Sequence, residues 1–152
     1  ALVRGLGDVY KRQVLIYASD ENATHFAEAS SWLDRALRGT ERVGFPWICL
    51  LAFQRITTNP ALFAMPLTPS RASDYIENWL RHPNSWVPQP GPQHASILRT
   101  LTVDSDARGA LVTDAHLAAL AIEHGTSICS FDSDFARFQG LRWFSPLDAQ
   151  DT

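Results

Sequence analysis

Cysteine is scarce: Cys49 and Cys129 are the only two in 152 residues. Each sits inside an apolar segment, with neither a C-x-x-C pattern nor a nearby histidine pair. That excludes a disulfide scaffold and a thiolate zinc site, and it predicts two buried free thiols. Long hydrophobic runs are missing too. Stretches such as Trp47 to Phe53 are far shorter than the roughly 20 residues a membrane span requires. The start of the chain lacks the basic region, apolar stretch and small-residue cleavage site of a secretory signal. A soluble, cytoplasmic protein without membrane contact is expected. Positive charge is also in short supply, with 13 Lys and Arg against 16 Asp and Glu, a formal charge of −3 and a pI near 5.9. A protein that grips nucleic acid through a broad basic surface is therefore not expected. A nuclease is not excluded, because acids that hold a metal add negative charge to the total. Arg55, Arg71, Arg108, Arg137 and Arg142 remain available for phosphates, although a scattered surface arginine is ordinarily just solvated. With 45% hydrophobic residues and no repeat, low-complexity tract or linker, residues 1–152 are expected to form one domain around one core.

Against these absences stand short apolar segments alternating with helical spacing. V-L-I-Y-A (Val14 to Ala18) is rich in strand formers and reads as a buried first strand. Phe26, Ala29, Trp32, Leu33, Ala36 and Leu37 follow helical spacing, and Gly39 stops the run. Pro46 suits the first turn of a second helix, where its missing N–H costs nothing. The nearly solid apolar sequence that follows, Trp47 to Thr58, predicts burial on most sides. Asn59 to Pro69 is expected to be a loop leading to a helix from about Ser70 to Arg81, Ser85 to Pro88 a short strand, and Gln93 to Val103 another helix. Such alternation points to an α/β sandwich around a mainly parallel sheet of four or five strands.

The densest chemistry lies near the C-terminus. V-T-D-A-H-L-A-A-L-A-I-E-H-G (Val112 to Gly125) reads as a helix that starts on an acid and stops at Gly125, and S-I-C-S-F-D-S-D-F (Ser127 to Phe135) as a strand that ends on two more acids. Ten helical residues cover about 15 Å and five strand residues about 16 Å in return, so Asp114 and Asp132 can finish side by side. Carboxylates at the C-terminal edge of a parallel sheet make the oxygen-rich pocket that a hard divalent cation requires. Plainer explanations also apply. An acid at a helix start favours the dipole, Asp132 and Asp134 can open a turn and cap F-A-R-F, His116 reads as packing or solvated, and His124 suits a helix C-terminus.

These segments, together with F-P-W-I-C-L-L-A-F-Q-R-I-T-T-N-P (Phe45 to Pro60) and F-D-S-D-F-A-R-F-Q-G-L-R-W (Phe131 to Trp143), are similar in order and spacing to a PIN domain. They resemble more closely the VapC-type toxin ribonucleases abundant in mycobacteria, over about residues 14–147. The resemblance implies a PIN-like α/β/α sandwich and a Mg²⁺- or Mn²⁺-dependent endoribonuclease that acts on tRNA or rRNA. It also implies a VapB-type antitoxin as partner and a homodimer. Asp114 and Asp132 match the family's metal-site and catalytic acids, with Asp134 beside them.

The chain departs from the family at its start. The D-x-N or D-x-S that opens the first strand falls here on Lys11 and Gln13, and a cation in place of a ligand carboxylate opposes metal binding. Asp8 lies three residues too early and substitutes only if Val9 to Gln13 bulge. D-V-Y-K-R-Q (Asp8 to Gln13) also resembles a translated library adaptor of the kind found at the ends of assembled metagenomic genes. Residues 1–13 are accordingly expected to be foreign to the natural chain, which would carry an acid where Lys11 stands; the same codons in genomic DNA would sink that idea. An acid common on the family's next helix is replaced by Ala52, while Asp20 and Glu21 read as loop residues. Lys11 keeps open a PIN-fold protein that binds RNA or an antitoxin without cutting. A phosphatase-like use of D-S-D is disfavoured, because about 18 residues follow Asp134, where such proteins place most of their domain. Trp79, Trp86 and Trp143 are open to either core or interface roles.

Overall fold

The structure is a computed structural model that describes residues 2–3 and 14–148. Among these, five short strands form one sheet: β1 (Leu2–Val3), β2 (Val43–Gly44), β3 (Ser85–Trp86), β4 (Ile128–Cys129) and β5 (Trp143–Phe144). Their order is β3-β2-β1-β4-β5, and every pairing is parallel. Leu2 pairs with both Gly44 and Ile128, which makes β1 the central strand. The helices are α1 (Val14–Ser19), α2 (Phe26–Arg38), α3 (Trp47–Thr57), α4 (Pro69–Arg81), α5 (His94–Ser105) and α6 (Ala110–Glu123).

Helices cover both faces of the sheet, and β4 shows how. Successive strand residues point to opposite sides, so Cys129 packs with α1, α2, α3 and α4 while Ile128 packs with α5 and α6. Leu50, Phe53 and Ile56 of α3 belong to the first cluster and Cys49 to the second. This is the expected α/β/α sandwich.

One expected strand is a helix. Val14 to Ala18 lies in α1, with Val14, Leu15 and Ile16 almost wholly buried and Tyr17 and Ala18 packed against them. A short apolar run looks the same to a sequence pattern whether it becomes a buried strand or a buried helix. Here β1 lies well upstream of it. α3 is buried on most of its sides, as its apolar sequence predicts, and the side that carries Trp47 and Leu51, 47% and 57% exposed, faces outward.

The remaining elements fall where propensity puts them. Pro46 is the N-cap of α3, and its carbonyl accepts from the N–H of Cys49 and Leu50 at 2.9 and 3.1 Å. Thr68 caps α4 by accepting from Arg71 N–H at 3.2 Å, with Pro69 leading the helix. Asn84 Nδ2 donates to the carbonyls of Ala36 at 2.8 Å and Glu41 at 2.9 Å, which ties the end of α2 to the approach to β2. No helix among the described residues is long and apolar enough to cross a membrane.

Candidate metal centre

α6 starts earlier than its sequence suggests. Gly109, with φ 58°, is its N-cap and helical backbone begins at Ala110. Asp114 is therefore the fifth helical residue, and the first turn holds no acid. Side-chain caps serve the first N–H groups from the N-cap position itself, so capping does not explain Asp114. Its burial is equally telling, at 4% exposure on a helix whose other inward residues are alanine and leucine.

Chain path brings the second acid to the same edge. α6 ends at Glu123, Gly125 takes φ 65°, and β4 begins at Ile128. A connection this short reverses the chain, and Ile128 packs against the alanine face of α6. β4 thus runs back towards the start of α6, and Asp132 lies three residues beyond its end. Asp132 is 0% exposed. Its Oδ1 accepts from Asp134 N–H at 2.8 Å and its own N–H donates to the buried Ser130 Oγ at 3.0 Å. The expected capping role of Asp132 is real, since it is the N-cap of a short 3-10 helix, Ser133–Arg137. Such a bond orients the carboxylate.

Asp134 sits differently. It is exposed, its Oδ1 lies 3.6 Å from Arg137 Nη2, and its carbonyl accepts from Arg137 Nε at 3.2 Å. Asp20 Oδ1 accepts from Asn22 N–H at 3.0 Å in a loop turn, Glu21 is exposed and Ala52 is buried in α3. Asp8, Lys11 and Gln13 lie outside the described residues.

Buried carboxylates are costly unless they are hydrogen-bonded, paired or bound to metal. Asp114 and Asp132 offer hard oxygen donors of the type Mg²⁺ takes, and Mg²⁺ commonly uses one or two carboxylates and completes its shell with water and phosphate. The donor chemistry fits a two-carboxylate site. Among the described residues no group of three or more His, Cys, Asp or Glu side chains is gathered to hold a metal.

A polar network nearby was not foreseen. His116 Nδ1 lies 3.0 Å from Nε2 of the buried His94 at the start of α5. His94 Nδ1 in turn lies 3.9 Å from Glu123 Oε1. Glu123 accepts from the N–H of Gly91 at 2.8 Å and Gln93 at 2.9 Å, closing the approach to α5. Burial first, and the neighbouring His94 second, hold His116 below its usual range. The Gly91 N–H is the largest influence that keeps Glu123 below the usual carboxylate range. The signal was present in the sequence, because His116 and Glu123 are seven residues apart on α6 and so share one helical stripe. His124 is the C-cap of α6, as expected, and its Nε2 lies 2.8 Å from Gln89 O.

No family model matches the chain. It is 45% identical over 133 residues to Ribonuclease VapC37 of Mycobacterium tuberculosis, covering 88% of this chain and 92% of that protein. It is 37% identical over 137 residues to VapC ribonuclease Mb2897 of Mycobacterium bovis, covering 90% and 93%. Among solved structures it is similar to VapBC2 from Rickettsia felis bound to a DNA fragment from their promoter, with a TM-score of 0.64 at 12% identity, covering 87% of this chain and 92% of that one. A second is FitAB bound to an IR36 DNA fragment, with a TM-score of 0.57 at 15% identity, covering 88% and 90%. At such low identity the two structures speak for the fold, whereas the sequence relatives carry the family: the chain belongs to the VapC ribonucleases.

Proposed function

We propose that this protein is the toxin of a type II toxin–antitoxin system, an endoribonuclease that hydrolyses RNA phosphodiesters with a Mg²⁺ or Mn²⁺ ion held by Asp114 and Asp132. The observation that carries the reading is the burial of two carboxylates at one edge of the sheet, one of them at a helix position where capping gives it no purpose. When bound, the cation lowers the pKa of a water and offsets charge on the phosphate oxygens. The chain's own contribution is positional. Asp134 N–H and Ser130 Oγ fix the Asp132 carboxylate and backbone, and the rigid helix α6 presents Asp114. Asp134 and Asp8 complete the candidate set of ligands. Arg137, beside Asp134, places positive charge where a phosphate would approach.

RNA, tRNA or rRNA, is the substrate, a VapB-type antitoxin the regulator, and a second copy of the chain the partner in a dimer. The relatives named ribonucleases support RNA as the substrate, and the VapBC complex of similar fold supports the antitoxin. Lys11 favours a second reading, a PIN-fold protein that binds RNA without cutting. Cleavage of a total tRNA pool in Mg²⁺, by this chain and by Lys11→Asp, separates the two. Cutting that EDTA abolishes is expected for at least the variant. RNA bound by both proteins and cut by neither selects the second reading.

A further inference from the structure

The edge of the sheet opposite the carboxylates carries a cleft of its own. Gly39 to Arg42 ahead of β2, His124 to Ser127 ahead of β4 and Arg142 ahead of β5 meet there with Arg35 of α2, around a volume of about 1030 Å³. Among the described residues three arginines, Arg35, Arg42 and Arg142, face it with one acid, Glu41. That is a local excess of two positive charges on a chain whose net charge is −3.

Arg142 and Arg42 are held in place by contacts of different kinds. Arg142 Nη2 donates to Gly125 O at 3.1 Å, which positions the side chain and leaves its other N–H groups for a ligand. Neither Arg35 nor Arg142 has a carboxylate partner among the described residues. Arg42 lies 4.0 Å over the half-buried Trp86 ring, and His124 meets the same ring edge-on at 5.0 Å. Planar guanidinium forks match phosphate geometry, and an arginine spread on an aromatic ring offers its outer face to a nucleobase. Hydroxyls of Thr40, Thr126 and Ser127 line the same space.

We infer that this cleft is a second RNA-contacting site, which takes backbone phosphates of single-stranded RNA on Arg35 and Arg142 and a base on the Arg42–Trp86 pair. The inference rests on the ribonuclease reading. Ser127 to Asp132 spans five residues at about 3.3 Å each, about 16 Å, so the cleft holds nucleotides removed from the bond being cut. It therefore grips the substrate and does not take part in hydrolysis.

Fluorescence anisotropy of a labelled single-stranded RNA in EDTA, titrated at several salt concentrations, tests this without any cleavage. Each phosphate contact contributes about 0.7 to the slope of log K against log salt for a single strand. The double variant Arg35→Ala/Arg142→Ala is expected to lose about 1.4 of that slope and to bind several-fold more weakly. The double lysine variant, which keeps the charge, should retain most of the slope. Thermal melts of both check that the fold is intact. An unchanged slope and affinity in the alanine variant overturns the site alone, whereas no RNA binding by the unaltered protein overturns the ribonuclease reading with it. A mononucleotide that binds the unaltered protein but not the alanine variant, with the RNA slope unchanged, makes this a free-nucleotide site and overturns the RNA assignment. Displacement of RNA by poly-glutamate at equal affinity overturns the stacking argument in favour of an acidic peptide.

Discussion

Asp132 has an observed role and a proposed one that substitution can separate. Its Oδ1 caps the 3-10 helix by accepting from Asp134 N–H at 2.8 Å, and in the proposed function its buried carboxylate is a ligand of the cation. Asp132→Ala removes both. Loss of an N-cap acid costs about 0.5–2 kcal/mol, and with about 2–4 °C of Tm per kcal/mol for a chain of this size, a cost of about 1–2 kcal/mol lowers Tm by roughly 2–8 °C. Asp132→Asn keeps a carbonyl oxygen at the cap and removes only the charge, so its Tm in EDTA should stay within about 2 °C of the parent. Both variants, made in the Lys11→Asp background, should lose Mn²⁺ binding by calorimetry. Melts and titrations of the pair therefore give a crossed result, with stability following the oxygen and metal binding following the charge. If Asn is as destabilised as Ala, the cap is not what Oδ1 provides. If Asn binds Mn²⁺ as the parent does, the carboxylate is not a ligand.

The His116 network makes stability depend on pH. A histidine held below its ordinary 6.5 binds fewer protons folded than unfolded, so its contribution is complete above pH 6.5 and is lost as pH falls through the folded value. Glu123, held below its ordinary 4.5, adds a second loss in more acidic solution, as pH falls through its own folded value. Urea midpoints should fall between about pH 7.5 and about pH 5.5, and His116→Gln should flatten that difference; an undiminished slope in the variant would assign it elsewhere. Cys49 and Cys129 are both buried, and burial pushes the Cys129 thiol well above its usual range. Neither should react with a disulfide reagent until denaturant is added, and rapid labelling of the native protein would contradict the packing. Phe53, 0% exposed and 4.8 Å from the Trp79 ring centroid, should cost about 3–5 kcal/mol as Phe53→Ala, read from the denaturant midpoint; a loss under about 1 kcal/mol would mean that the first core tolerates a large hole.

Much of the architecture was legible because amphipathic spacing, caps and prolines act locally. Phe26 to Leu37, Ser70 to Arg81 and Gln93 to Val103 lie in or within a residue of their helices for that reason. Val14 to Ala18 failed because a five-residue apolar run carries no period, and what decided it was the space left beside α2 and α3. β2 and β5, two residues each, were too short to leave any pattern. The acids of the candidate site were legible by spacing, but the reason to prefer ligation for Asp114 was not. It depends on Gly109 capping α6, which makes Asp114 the fifth residue of the helix. The arginine cleft was illegible for another reason, since Arg35 in α2, Arg42 ahead of β2 and Arg142 ahead of β5 are far apart in sequence and meet only through the order of the strands.

The most direct test is Mn²⁺ binding by calorimetry for three proteins: the chain as it stands, Lys11→Asp, and Asp114→Ala in the Lys11→Asp background, each also assayed on total tRNA. Tight Mn²⁺ binding and cutting by Lys11→Asp, with both abolished by Asp114→Ala, is the expected result. Absence of metal binding and cutting in all three would make the buried carboxylates structural.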